Sequence, residues 1–177
     1  MNAIVVYESV YGNTRAVAEA IADGLGGAPI MTPAEMVTSP SWPDLLVVGG
    51  PTHAHGMASA RSRQAALEAA QDGSAVTATA TEPALRDWLA ELPDMPGARA
   101  AAFDTRVSKS RWLTGAASHG IARRLRHHGY QVVDAASFLV SESEGPLVEG
   151  ELDRARGWAA DLAASVSTAG ADAEMGP

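Results

Sequence analysis

The residues with the clearest chemical meaning form a polar segment near the start of the chain, Ser9-Val10-Tyr11-Gly12-Asn13-Thr14. It follows an apolar, β-branched run at residues 3–7 and precedes residues 17–25, where apolar side chains recur at helical spacing. A loop between a strand and a helix presents backbone N–H groups at the positive end of the helix dipole, which favours a phosphate. Ser9 and Thr14 add hydroxyl groups. Asn13 can brace the loop, and Gly12 permits close approach of the backbone.

We therefore predict a phosphate loop at residues 9–14, with a simple helix cap at Asn13 or Thr14 as the alternative. The loop contains no lysine, and the chain has no G-x-x-x-x-G-K-[ST] motif, which argues against a nucleoside triphosphatase. It also has no G-x-G-x-x-G motif, which argues against a dinucleotide-binding Rossmann site.

The segments that must position this loop alternate between strands and helices. Strands are predicted at residues 3–7, 29–31, 44–49 and 98–103, and a last strand at 130–140 that is broken at 134–136. Helices are predicted at residues 17–25, 59–71, 116–128 and 149–166, and around Leu85, Trp88, Leu89 and Leu92. This alternation predicts a parallel sheet with right-handed crossovers, whose ligands bind beyond the carboxyl ends of the strands.

Composition limits the class of protein. The chain has 177 residues, 46% of them apolar, which fits one domain with a single buried core. The net charge of −8 argues against nucleic-acid binding. The lack of cysteine excludes disulfides, thiolate nucleophiles and iron–sulfur ligation. No signal-peptide pattern or membrane-spanning apolar run is present, so we expect a cytoplasmic protein without membrane insertion.

Three loops together resemble the flavodoxin-like family. Strand-Ser-x-x-Gly-Asn-Thr-helix is similar to the phosphate loop that binds flavin mononucleotide (FMN) in flavodoxins. The similarity continues at Gly49-Gly50-Pro51-Thr52-His53-Ala54-His55-Gly56 and at Phe103-Asp104-Thr105-Arg106, each at the end of a predicted strand. The resemblance implies a three-layer α/β fold, a doubly wound sheet of five parallel strands in the order 2-1-3-4-5. It covers residues 1–166 as one domain, and the small, polar residues 167–177 are expected to form a disordered tail.

The resemblance also implies the residues that contact FMN. At the phosphate these are Ser9, Val10, Tyr11, Gly12, Asn13 and Thr14. In the first flanking loop (residues 51–56), beside the flavin ring, they are Pro51, Thr52, His53, Ala54, His55 and Gly56. At the second flanking loop (residues 105–113) they are Thr105, Arg106 and Trp112, together with Asp104 directly before it.

The flanking loops depart from those of electron-carrier flavodoxins, which commonly place aromatic and acidic residues beside the ring. The first loop instead has His53 and His55, and the second has Arg106, Lys109 and Arg111. A metal site at the two histidines is the less favoured interpretation, because no cysteine or third ligand lies nearby in the sequence. The Pro-Thr opening and Met57 look more like FMN-dependent NAD(P)H:quinone oxidoreductases of the tryptophan-repressor-binding-protein type.

Three functions follow as alternatives. The first is electron transfer through FMN to a redox partner protein, and the second is reduction of a small acceptor such as a quinone by NAD(P)H. The third is a flavodoxin-like binding module without flavin. A basic run, Arg123, Arg124, Arg126, His127 and His128, either complements a helix dipole or docks an acidic redox partner. Trp42, Trp88 and Trp158 are expected to be packing residues.

Overall fold

The computed structural model describes residues 1–39, 41–53, 56–57, 83–109, 115–142 and 144–174. The strands are β1 (Ala3–Tyr7), β2 (Ile30–Met31), β3 (Leu45–His53), β4 (Gly56–Met57), β5 (Arg99–Val107) and β6 (Gln131–Val140). The helices are α1 (Asn13–Gly24), α2 (Pro33–Val37), α3 (Leu85–Trp88), α4 (Ala117–His127) and α5 (Glu151–Glu174). The helix predicted at residues 59–71 lies outside the described residues. None of the described helices is long and apolar enough to cross a membrane.

Five strands form a parallel sheet in the order β2-β1-β3-β5-β6, which confirms the predicted order 2-1-3-4-5. The short β4 pairs antiparallel with the end of β3. Tyr7 lies beside Gly49 and Pro51 lies beside Thr105, so the carboxyl ends of β1, β3 and β5 reach the same edge of the sheet. The described residues among the predicted site residues lie at or near that edge.

Each face of the sheet is covered by helices, because alternate residues of the central strands point to opposite sides. Val5, Val47 and Phe103 pack in a core with α1 and α5. Val6 and Val48 pack in a second core with α2, α3 and α4. The small residues at 100–102 of β5 are fully buried, which lets the helices approach the sheet closely. The result is the predicted three-layer architecture.

The predicted break in the last strand is wrong. β6 runs continuously, and the residue opposite Ala100 is Val132 whereas the residue opposite Ala101 is Asp134, so Val133 is bulged out of the ladder. Asp134 is held in place by the indole Nε1 of Trp158, which donates to its Oδ2 at 2.7 Å. A β-bulge therefore accommodates the polar residue that looked like a strand breaker.

Two other predictions need correction. The last helix runs to Glu174 and so continues beyond the predicted end at Val166; the predicted inward residues Ala155, Ala159 and Leu162 are buried. Trp88 is buried as expected, but Trp42 is 37% exposed and is not a core residue. The domain boundary at residue 166 stays a prediction.

Candidate functional site

The phosphate loop connects β1 to the first residue of α1. Gly12 occupies the N-cap position with φ of 84°, a left-handed conformation that favours glycine, and no side chain caps it. Ser9 Oγ accepts a hydrogen bond from the backbone N–H of Arg15 at 3.3 Å. Within the described residues, no hydrogen bond uses the backbone N–H groups of residues 10–14. These donors lie at the positive end of the α1 dipole, an arrangement that suits an anion.

Thr14 joins this loop to the second flanking loop. Its Oγ1 lies 2.7 Å from Oγ1 of Thr105, near the end of β5, and both residues are buried. In a pair of hydroxyl groups one donates to the other, so the second proton remains for another acceptor. Two of the three threonines predicted to contact the ligand, Thr14 and Thr105, are therefore adjacent and fixed with respect to each other.

Asn13 braces the loop, as its position predicts, but through a segment that the sequence did not indicate. Its Nδ2 donates to the backbone oxygen of Glu144 at 2.9 Å, in the connection between β6 and α5. Gly145 has φ of 109°, and a Cβ there would lie 2.7 Å from the Asn13 amide. The connection between β6 and α5 therefore borders the site, beside the phosphate loop. Its Gly-Pro pair was the one available sequence signal, and that pair indicates only a turn.

Glu8 is a second residue that sequence reasoning missed. It directly follows β1 and is buried; its Oε2 accepts the backbone N–H of Leu85 at 2.8 Å. Its own backbone N–H donates to Gly49 O. An acidic residue after a strand is usually solvated, whereas this carboxylate fixes the start of α3 against the phosphate loop.

The first flanking loop is described in part. Pro51 and Thr52 are half-buried, and Thr52 Oγ1 accepts the backbone N–H of Ala117, the first residue of α4, at 2.9 Å. His53 pairs with Gly56 where β3 turns into β4. Ala54 and His55 lie outside the described residues, as does Trp112 of the second flanking loop.

Asp104 also positions α4. Its side chain is fully buried, and Oδ2 accepts the backbone N–H of Ser118 at 2.7 Å. Oδ1 has no hydrogen-bond partner among the described residues. A carboxylate near a helix N-terminus is stabilised by the dipole and satisfies one of the first N–H groups. Asp104 lies within β5, between Gly50 of β3 and Ser137 of β6, and its side chain positions α4 at this edge of the sheet.

Arg106 folds back over the second flanking loop. Its Nη1 donates to the backbone oxygen of Lys109 at 2.7 Å and, more weakly, to that of Val107 at 3.4 Å. Burial raises the pKa of nearby Glu151, but hydrogen bonds from Arg154 and Leu139 and the charges of Arg154 and Arg106 lower it below its usual value overall. Arg106 therefore carries its positive charge at the site edge while holding the turn after β5.

Solved structures with the same architecture cover nearly all of this chain. A flavodoxin from the domain Archaea is 22% identical, with a TM-score of 0.54 over 94% of this chain and 99% of that chain. The flavodoxin, WrbA-like protein from Agrobacterium tumefaciens is 18% identical, with a TM-score of 0.58 over 94% and 98%. Flavodoxin 2 from Bacillus cereus is 18% identical, with a TM-score of 0.61 over 93% and 99%.

No protein-family model and no curated protein sequence matches the chain. At identities of 16–22% the structural likeness establishes the fold. Together with the strand order and the two helical layers, it shows that this chain has the flavodoxin-like fold.

Proposed function

We propose that the chain binds one FMN at the carboxyl edge of the sheet and transfers electrons through it. The observation that carries the proposal is the phosphate loop, whose consecutive backbone N–H groups at residues 10–14 make no hydrogen bond within the described residues. Such a row of donors at a helix N-terminus suits a terminal phosphate. Solved flavodoxins with this fold support a flavin as the ligand.

The residues present fit this cofactor. The loop N–H groups and one proton of the Thr14–Thr105 hydroxyl pair would hold the phosphate. Thr52 accepts from Ala117, so its hydroxyl proton is available to the ring edge. When bound, FMN would supply the redox chemistry, and the protein would supply orientation, exclusion of water and nearby charge.

We expect reconstitution to give one FMN per chain, with FMN bound more tightly than riboflavin or FAD. The loop can satisfy one terminal monophosphate, and riboflavin lacks it. The measurement is titration of the flavin-free protein with each flavin, followed by visible absorbance and flavin fluorescence. Tighter binding of FAD than of FMN contradicts the proposal. Binding of neither also contradicts it and leaves the flavin-free binding module.

A second candidate is an FMN-dependent NAD(P)H:quinone oxidoreductase, which the cationic Arg106 at the site edge favours over an acid-lined carrier. Steady-state oxidation of NADH or NADPH with a quinone acceptor separates the two. Turnover by the FMN-loaded chain supports the reductase. Electron exchange only with a redox partner protein supports the carrier.

Arg106→Gln should make the two-electron reduction potential of bound FMN more negative. A cation near the ring stabilises the anionic reduced flavin, by roughly 4 kcal/mol at 4 Å if the effective dielectric constant is near 20. Because the guanidinium is drawn towards its own loop, we expect a smaller effect, about 1–2 kcal/mol. The control variant is Lys109→Gln, because Lys109 is an exposed cation of the same loop. The measurement is redox titration of the wild type, Arg106→Gln and Lys109→Gln, each with FMN bound. If Arg106→Gln leaves the potential unchanged, Arg106 has only a structural role in its loop.

A further inference from the structure

A strongly basic cavity, separate from the candidate site, lies on the α4 side of the sheet edge. Its volume is about 370 Å³, and α3 and α4 supply its charged side chains. Arg86 comes from α3, and His119, Arg123 and Arg124 come from α4; Met57 of β4 and the residues that begin α4 complete the wall. We call it the arginine cavity. It shares no residue with the phosphate loop.

The three arginines lack partners within the described part of the chain. Arg86, Arg123 and Arg124 make no hydrogen bond or ion pair there, and no described wall residue is acidic. Burial lowers the pKa of the half-buried Arg124, and the charges of Arg86 and Arg123 lower it further, against a smaller opposing effect of Asp87. Three like charges thus face one hollow, and none of its described wall residues carries a counter-charge.

The cavity opens beside the N-terminus of α4. Its wall includes Gly115, Ala116, His119 and Gly120, while the first N–H groups of that helix are taken by Thr52 and by the buried Asp104. Guanidinium groups match the oxygens of phosphate in two-point hydrogen bonds. The volume lies in the range of small-ligand sites and exceeds what one inorganic ion needs.

We propose that the arginine cavity binds the phosphate groups of a small ligand, a phosphomonoester or a diphosphate, apart from the phosphate held by the loop at residues 9–14. Ala116, in the wall, directly precedes Ala117, which donates to Thr52 of the first flanking loop. The ligand would therefore lie next to the carboxyl edge. This inference does not depend on flavin binding.

Calorimetric titration of the full chain with pyrophosphate tests the proposal, with one equivalent of FMN and without it. We expect saturable binding in both series and weakening by about tenfold or more in Arg124→Gln and in Arg86→Gln, because each loses charge-assisted hydrogen bonds. Arg126→Gln is the matched control: it removes the same charge from an exposed position of the same helix, outside the cavity wall. Circular dichroism checks that each variant is folded.

Three results would overturn the proposal. One is the absence of saturable pyrophosphate binding by the wild type. Another is equal weakening in Arg126→Gln, which would indicate non-specific attraction to a basic helix. The third is loss of pyrophosphate binding in Thr14→Val or on adding FMN, which would place pyrophosphate in the phosphate loop. If FMN does not bind, the titrations without FMN still test the arginine cavity. The proposal of FMN binding and the proposal of the arginine cavity can therefore fail independently.

Discussion

FMN should bind about one and a half to three orders of magnitude more weakly when Thr14→Val and Asn13→Ala are combined, while riboflavin binding changes by less than about tenfold. A hydrogen bond from Thr14 to the charged phosphate is worth about 1.5–3 kcal/mol, and the neutral hydrogen bond of Asn13 about 0.5–1.5 kcal/mol, which together give this range of dissociation constants. Thr14→Val removes a hydroxyl group from the phosphate loop. Asn13→Ala removes the hydrogen bond to Glu144, so the connection after β6 no longer braces the loop donors.

The contrast between the two flavins is what distinguishes phosphate binding from capping. If Thr14 and Asn13 act only at the start of α1, both flavins should lose affinity equally, since the loss would arise from a less ordered loop. Fluorescence titration of each variant with both flavins is the measurement. Thr38→Val is a matched control, because Thr38 is an exposed threonine directly after α2 whose hydroxyl donates to Glu35 O, far from the phosphate loop in sequence.

Thr105→Val separates the contributions of the two threonines. It breaks the same 2.7 Å contact as Thr14→Val but leaves the Thr14 hydroxyl free to donate to a phosphate. We expect a smaller loss of FMN affinity than in Thr14→Val, within about tenfold. A larger loss in Thr105→Val would mean that Thr105, rather than Thr14, is the ligand contact.

The sheet could be predicted because its signal is local. Buried parallel strands appear as continuous apolar runs, and the helices between them repeat apolar residues at a different spacing. The predicted runs stopped near Gly49 and Phe103, whereas β3 and β5 continue to His53 and Val107. Main-chain pairing does not require apolar side chains, so the polar ends of these strands carry the site but lack the apolar signal.

The contacts that complete the site could not be predicted from spacing. Asn13 and Glu144 are 131 residues apart, and Glu8 and Leu85 are 77 apart. Each contact joins a side chain to a backbone group. Any residue type can supply that backbone group, so the residue at the partner position gives no sequence signal. The same holds for the arginine cavity: Arg123 and Arg124 were visible as a basic run, but Arg86 lies on a different helix and joins them only in the cavity wall.

Gly49→Ala should lower the free energy of unfolding by about 3 kcal/mol, the upper part of the usual range for overpacking a filled core. Gly49 lies in β3 directly beside Phe103 of β5, and a Cβ on Gly49 would collide with the Phe103 ring. That ring cannot move aside easily, because it is fully buried and packs edge-to-face on Phe138 with centroids 6.3 Å apart.

Gly157→Ala is the matched control for this substitution. Gly157 lies in α5, and a Cβ there would meet no atom within 4 Å. The same change should therefore raise stability by about 0.5–1 kcal/mol through helix propensity. Adding Phe103→Leu to Gly49→Ala removes ring atoms from the collision, so the double variant should be less destabilised than the sum of its single changes. Urea unfolding followed by circular dichroism gives all four values. If the double variant loses as much free energy of unfolding as the two single variants together, the destabilisation by Gly49→Ala arises within β3. A collision with the Phe103 ring would instead be relieved when the ring is removed.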